Sequence, residues 1–437
     1  MLIHENPAAV LQSLIRFDTT NPPGNERACI DYINGLLQAA GIETTLLARD
    51  DNRPNLIARL RGAGSAPPFL MQGHVDVVTT ANQQWTHPPF EAVEQDGFIW
   101  GRGTLDMKGG VAMMLCAMLK MKHEMDNGNA TPAGDILLCV MSDEEAGGEY
   151  GAKWLVENHP EQFDGVKYAI GEFGGSSMHL HGKKFYIIQM AEKVSCQIKL
   201  SIHGPAGHAS SPQQGGTMAR LGKVLTRLDE QQLPVHVTPV VQKMVEGIAD
   251  AIHAPYEAVL QQTLAPASDS PLGVLMRPMF RNTASPTIVH GGDKINVIPG
   301  LVELSLDGRM LPGMQPAQFV DELKAVIGDD LAEHIDMEVV KCELPELTQP
   351  DMTQFDMLAG ILRELDTDAN PIPYLLPAGT DGSHFARLGI QNYGFTPMLL
   401  PESFNFGATI HAADERIPVE AVAFGTEAIF MVLQRYK

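Results

Sequence analysis

Apolar residues recur at helical spacing in "AAVLQSLIRF" (8–17) and "ACIDYINGLLQAAG" (28–41), and the second run stops at a glycine. Three short runs follow, "ETTLLAR" (43–49), "NLIARL" (55–60) and "FLMQGHVDVV" (69–78), each bounded by turn residues. They predict strands. "GGVAMMLCAMLKMKHEM" (109–125) predicts a buried helix, "DILLCVMS" (135–142) a strand, "YGAKWLVENH" (150–159) a helix and "VKYAIGE" (166–172) another strand. Alternating strands and helices imply a mainly parallel sheet with helices on both faces.

The texture changes near Glu192. "SCQIKLSIHG" (195–204) alternates as a strand with one wet face does, and Leu221, Val224, Leu225 and Leu228 share one face of a following helix. A less regular, proline-rich region spans Leu233 to Pro286. Strand patterns return in "PTIVHGG" and "INVIPGLVELSLDGRM", then a helical one in "PAQFVDELKAVI". A unit of this size folds alone in many proteins. After Thr348 the α/β texture resumes and closes on "VEAVAFGTEAIFMVLQRY", a long amphipathic helix. The expected organisation is a catalytic α/β domain, residues 1–191 and 348–437, interrupted by a smaller inserted α/β domain, residues 192–347.

The 437 residues leave room for such a large core, and 44% hydrophobic with 19% charged residues is an ordinary globular composition. A formal charge of −22 argues against a nucleic-acid partner. Cys29, Cys116, Cys139, Cys196 and Cys342 are scattered, mostly in apolar runs, and are not spaced as zinc ligand pairs. Buried reduced thiols are expected. The first residues lack the basic and apolar regions of a signal peptide, and runs such as "VAMMLCAML" are too short to span a bilayer. A cytoplasmic protein without a membrane partner is expected.

Groups suited to hard cations recur at predicted strand ends. His74 and Asp76 lie two apart, on one side of a strand. Asp106 sits in a glycine-rich turn between a strand and a helix, Glu144 and Glu145 follow an apolar run, Glu172 ends the next strand, and His411 lies near the C-terminus. Open parallel sheets bind ligands outside the carboxyl ends of their strands. Imidazole and carboxylate without thiolate suit zinc in a catalytic site, with cobalt or manganese as alternatives.

The segments "GHVDVV", "WTHPPFEAVEQDGFIWGRGTLDMKGG", "SDEEAGG", "GPAGHAS", "INVIPG", "GTDGSHF" and "IHAADERI" occur in this order. With them, nearly the whole chain resembles the dinuclear zinc family of acetylornithine deacetylase, succinyl-diaminopimelate desuccinylase, aminoacylase and glutamate carboxypeptidase. The resemblance implies a zinc-exopeptidase-like catalytic domain and a ferredoxin-like lid that forms a homodimer. It implies two zinc ions, with Asp106 bridging them, His74 and Glu172 on one, and Glu145 and His411 on the other. Glu144 would be the general base. Asp76 would orient His74, since metal-bound imidazoles usually donate their free N–H to such a group. His208 would cross the dimer interface and stabilise the oxyanion of the neighbouring site. Asn296, Arg309, Gly379 and Thr380 would bind substrate; an arginine fork suits a carboxylate. Asp143 is expected to act only in a turn or cap, and His87 in a rigid, wet loop.

The implied activity is hydrolysis of an amide in a small N-acyl amino acid or short peptide with a free carboxylate. Dipeptidase or aminopeptidase-like action on unblocked peptides is the alternative, and a catalytically silent metal- or peptide-binding relative is a third reading.

Overall fold

The computed structural model of the chain describes residues 2–211, 214–265, 276–346 and 349–437. Its largest sheet has nine strands. The order across it is Glu43–Ala48, Pro54–Leu60, Ile136–Met141, Phe69–His74, Tyr168–Gly171, Gln391–Gly394, Lys183–Glu192 and Ala369–Leu376. Ser177–Leu180 pairs with Lys183–Glu192 off that path. The centre is parallel: Phe69–His74 runs parallel to Ile136–Met141 and to Tyr168–Gly171, which in turn runs parallel to Gln391–Gly394.

The unbroken apolar runs of the central strands follow from burial on both faces. Phe69, Met71, Leu138 and Val140 pack in the main core with the helices Lys108–Asp126 and Val419–Arg435. Their neighbours Leu70, Leu137 and Cys139 face the other way, into a second core with Leu155 and Val156 of helix Ala152–Asn158. The expected α/β architecture is therefore present, but the sheet is not parallel throughout. Glu43–Ala48 and Pro54–Leu60 form an antiparallel hairpin, and Pro54–Leu60 adds antiparallel to Ile136–Met141. A five-residue connection is too short for the crossover that parallel pairing needs.

A second, antiparallel sheet has the order Thr283–His290, Leu301–Met310, Val194–His203, Ile335–Cys342. Its inner face (Ile198, Leu200, Ile202, Leu304, Leu306) packs on helices Thr217–Glu230 and Pro316–Ile327 through Val224, Phe319 and Leu323, in a core separate from that of the large sheet. Between these elements the chain returns to the large sheet. Helix Pro239–Ile252 buries Val240, Val241, Met244, Val245 and Ile248 in the main core. The stretch that read as irregular is thus partly an amphipathic helix whose apolar face belongs to the larger unit; its residues 266–275 lie outside the described residues, as does the expected boundary at 347–348. No helix among the described residues is long and apolar enough to cross a membrane.

Candidate metal centre

The carboxyl ends of the parallel strands deliver the predicted groups to one place. His74 is the last residue of its strand, and Glu172 immediately follows Gly171 at the end of the adjacent one. The acid run begins two residues beyond Met141, on the other neighbour. Asp106 lies just before the helix Lys108–Asp126.

The geometry centres on Asp106. Its Oδ1 lies 3.1 Å from His74 Nε2 and its Oδ2 lies 2.9 Å from His411 Nε2. His74 Nε2 is also 3.4 Å from Glu172 Oε2 and 4.0 Å from Glu144 Oε2. His411 Nε2 is 3.4 Å from Glu145 Oε1. The donors form two groups, His74 with Glu144 and Glu172, and Asp106 with Glu145 and His411; within each group the ligand atoms lie within 4.8 Å of one another. Glu145 Oε1 and Glu172 Oε1 are buried without hydrogen-bond partners. Buried carboxylate oxygens without a donor, on residues whose neighbours are imidazoles, fit cation ligation, because a buried charge left without a hydrogen bond is costly.

The local electrostatics carry the same message. Burial alone would lower His74, yet hydrogen bonds with Asp106, Asp76 and Glu172 outweigh it and hold the ring well above its usual range. Asp106 and then Glu145 raise His411 to about 10. Asp106 is held well below the usual carboxylate range by His411 and His74, against the effect of burial. Burial pushes Glu172 up to about 7, and burial with the nearby Glu172 carboxylate pushes Glu144 well above its ordinary value. With both imidazoles neutral and all four carboxylates ionised, as ligation requires, the set carries about −4, which two divalent cations at about +4 would balance.

Asp76 is fully buried beneath this cluster. Its oxygens accept the Asn21 side-chain N–H (2.8 Å) and the backbone N–H groups of Glu144 (3.1 Å) and Glu145 (3.2 Å). Oδ1 also lies 3.4 Å from His74 Nδ1, whose nearest acceptor is the Asp76 carbonyl oxygen at 3.0 Å. The Asp76 carboxylate therefore fixes the acid-bearing backbone, while the carbonyl oxygen of the same residue holds the ring. Asp143 takes no part in the ligand groups. It occupies a left-handed position (φ 71°), accepts the Tyr150 N–H, and pairs at 2.9 Å with Arg53, which also binds Glu26 at 2.7 Å. His87 stacks edge-on against Trp100.

Three supports have no counterpart among the sequence expectations. Glu415 is buried, pairs with Arg102 at 2.6 Å, and accepts N–H groups from Gly103, Leu105 and Asp106. Arg102 donates onward to the His411 carbonyl oxygen, as does Gln83. Glu415 stands four residues beyond His411 in "IHAADERI", and Arg102 four before Asp106 in "GRGTLD"; a buried Arg–Glu pair joining two ligand loops was the signal to seek.

The remaining predicted residues divide. Arg309, Gly379 and Thr380 border one cavity of about 290 Å³ with Glu144, Lys193 and Asp381. Thr380 is buried and donates to Glu192, while Arg309 pairs with Asp307 at 3.1 Å. His208 and Asn296 are not brought to the cluster. His208 is exposed and bonds Ser210 Oγ at 2.7 Å. Asn296 is exposed too, its carbonyl oxygen accepting the Ala209 N–H. A second cavity of about 610 Å³ borders the cluster at Asp106 and Glu172.

Residues 70–435 match the sequence profile of Peptidase family M20/M25/M40. The chain is 26% identical over 386 residues to the bovine (Bos taurus) N-fatty-acyl-amino acid synthase/hydrolase PM20D1, covering 85% of this chain and 74% of that one. It is 32% identical over 217 residues to a probable succinyl-diaminopimelate desuccinylase of Staphylococcus epidermidis, covering 49% and 48%. Among solved structures, the fold is similar to an M20 family metallo-carboxypeptidase from Sulfolobus solfataricus (TM-score 0.69, 16% identity, 98% of this chain and 99% of that one). It is also similar to human carnosine dipeptidase 1 (TM-score 0.65, 16% identity, 99% and 96%). With the profile spanning most of the chain and the donor groups assembled at its strand ends, this protein belongs to Peptidase family M20/M25/M40 and is a metallohydrolase.

Proposed function

We propose that the protein hydrolyses the amide or peptide bond of a small N-acyl amino acid or short peptide that carries a free carboxylate. The observation that carries this reading is Asp106 spanning two imidazole–carboxylate groups, one oxygen to each. His74 and Glu172 would hold one zinc ion, Glu145 and His411 the other, and Asp106 both. The ions would supply Lewis-acid polarisation of the scissile carbonyl and a water ionised near neutral pH.

Glu144 accepts the proton of the attacking water and returns it to the leaving amine; a base so placed contributes about 100- to 10,000-fold. Asp76 holds the Glu144 backbone and the His74 ring, which fixes the base relative to the reacting bond. Arg309 takes the substrate carboxylate, with Gly379 and Thr380 as the opposite wall, a role supported by the cavity that they share with Glu144. The names of the curated relatives, an N-fatty-acyl-amino acid synthase/hydrolase and a desuccinylase, support an N-acyl amino acid over an unblocked peptide.

The reading extends to assembly and location. The division at residues 1–191, 192–347 and 348–437 is supported by the separate core under the smaller sheet, although helix Pro239–Ile252 of the middle segment packs on the larger unit. Ile288, Val289, Ile295 and Val297 are exposed apolar residues on or beside its edge. That face supports a homodimer, in which His208 of one copy would donate to the oxyanion in the site of the other. Five free cysteines, four of them buried, support a reducing cytoplasmic location.

Glu144→Gln tests the proposal. The variant should lose at least about 100-fold in kcat on an N-acyl amino acid while its zinc content stays near that of the parent. Retention of most activity refutes the assigned base. Preference of the parent for unblocked dipeptides over N-acyl amino acids assigns it to the dipeptidase reading.

A further inference from the structure

The seam between the two cores holds a cavity of about 360 Å³ that the proposed reaction does not use. Leu228 and Val326, on helices Thr217–Glu230 and Pro316–Ile327 of the smaller unit, form one side of it. Arg277 and Arg281 enter it from a segment whose Met276, Met279 and Phe280 are buried in the main core. The polar lining carries charge of one sign. Gln231, Gln232, Asn282, Thr283 and Ser285 accompany the two arginines, and among the described residues no aspartate or glutamate lines the cavity. Glu322, which does not line it, is taken by Asn282 at 2.7 Å and His236 at 2.6 Å. In a chain with 53 acidic and 31 basic residues, two guanidinium groups without a lining carboxylate run against the overall charge.

The donors suit an oxyanion. Arg281 gives Nη1 to the Leu233 carbonyl oxygen at 2.9 Å, and its Nε is buried without a hydrogen-bond partner. Nε and Nη2 make the edge with which a guanidinium grips two oxygens of one anion. Arg277 is held in a similar way, with Nη2 on the Ala265 carbonyl oxygen and Nε buried without a partner. Thr283 Oγ1 accepts from Lys193 Nζ at 3.3 Å, so its own O–H can turn to the cavity. A buried donor without an acceptor is costly, and neighbouring like charges disfavour one another. Burial, and then the charge of Arg277, lower Arg281 below its ordinary value. One anion held between the two side chains offsets both effects.

The number of donors selects the kind of anion. A planar carboxylate offers two oxygens, whereas a phosphate group offers three or four and can meet two guanidinium groups and a hydroxyl together. The cavity is larger than the group itself and falls at the lower end of the range for small-molecule sites, about 300–1,000 Å³, which leaves space for an organic substituent.

We propose that the seam cavity binds a phosphate group through Arg277 and Arg281, as inorganic phosphate or as the phosphomonoester of a small molecule. The arginines adjoin the core of the larger unit, and Thr283 and Ser285 open the first strand of the smaller sheet, so the bound anion ties the two units together. This inference does not depend on the amide-hydrolase reading.

Isothermal titration calorimetry on zinc-loaded protein, freed of excess metal, reads the binding of inorganic phosphate, glycerophosphate and acetate. Saturable binding of phosphate or glycerophosphate is expected, at least about tenfold tighter than that of acetate, and the tighter of the two names the source. Arg281→Gln and Arg277→Gln should each weaken it at least about tenfold, the loss of a charge-assisted hydrogen bond. Phosphate held by the metal centre instead would be untouched by either substitution. Arsenate soaked into crystals of the parent protein and located by its anomalous signal should lie beside both guanidinium groups, which decides the matter even if a variant does not fold. Absence of arsenate from the cavity, phosphate binding unchanged in the folded variants, or acetate bound as tightly as phosphate overturns the proposal.

Discussion

Asp76 offers the sharpest perturbation, because one buried carboxylate accepts from the backbone of both glutamates and lies 3.4 Å from the His74 ring. In Asp76→Ala, the N–H groups of Glu144 and Glu145 lose their acceptor, and the Asn21 side-chain amide keeps only Asp143. Each buried donor left unmade costs about 1–3 kcal/mol. Removing the carboxylate also removes its own burial cost, so a net loss of about 3 kcal/mol in the metal-free protein is the expected scale. A second effect falls on the metal. With the acid-bearing turn released and the negative charge behind the ring removed, zinc affinity should drop about 10- to 100-fold, although the ring keeps its backbone acceptor. Asp76→Asn keeps the shape and one acceptor oxygen, so it should lose less stability but much of the zinc affinity, since its amide N–H₂ meets backbone N–H groups. Urea unfolding of the chelator-treated protein reads the first effect, and competition with a chromogenic zinc chelator reads the second. Asp76→Ala with stability within about 0.5 kcal/mol of the parent and zinc affinity within twofold would refute the reasoning.

Three further outcomes follow from the same geometry. Arg53 is buried between Glu26 and Asp143, so Arg53→Met strands two buried carboxylates and should cost about 3–5 kcal/mol in urea unfolding; a loss under about 1 kcal/mol contradicts the pairing. Lys193 is almost wholly buried, and burial, aided by Arg309, lowers its ammonium from 10.5 to about 7. Between those values the unfolded chain holds the proton and the folded chain does not, so the Lys193 contribution to stability should rise with pH from about 7 to 10.5, by up to about 1.4 kcal/mol per pH unit. Lys193→Met should flatten that slope in urea unfolding across the window, and identical slopes for the two proteins contradict the shift. Zinc added to chelator-treated protein should restore turnover and raise the melting temperature with concentration, because a ligand bound only by the folded state stabilises it; restored turnover without added metal contradicts a metal-dependent reaction.

Much of the site was legible because its residues sit where local patterns are strongest. His74 and Glu172 end apolar runs that are strands for want of any other way to bury both faces, and the parallel pairing that follows sends those ends to one edge. Asp106 and His411 each stood out as a possible ligand, but their contact was legible only through the resemblance, since they lie 305 positions apart in the chain. The supports were harder to see. Glu415 and Arg102 look like ordinary surface charges until the two loops are joined, and their pairing is a property of the assembled fold. The antiparallel hairpin at Pro54–Leu60 was missed because apolar runs carry no mark of strand direction, though the short connection carried one. Helical patterns were visible between Leu233 and Pro286, but not that the apolar face of Pro239–Ile252 packs on the larger unit, because a helical pattern does not name its partner. His208 and Asn296 stand apart from the cluster in a single chain, so their predicted roles depend on a second copy or on movement of the smaller unit.

The account depends on two cations sharing Asp106. Anomalous diffraction from crystals grown with zinc, collected on both sides of the zinc absorption edge, tests that most directly. The predicted result is two zinc peaks flanking the Asp106 carboxylate, one within ligand distance of His74 and Glu172 and the other of Glu145 and His411. A single peak, or zinc bound away from Asp106, would contradict it.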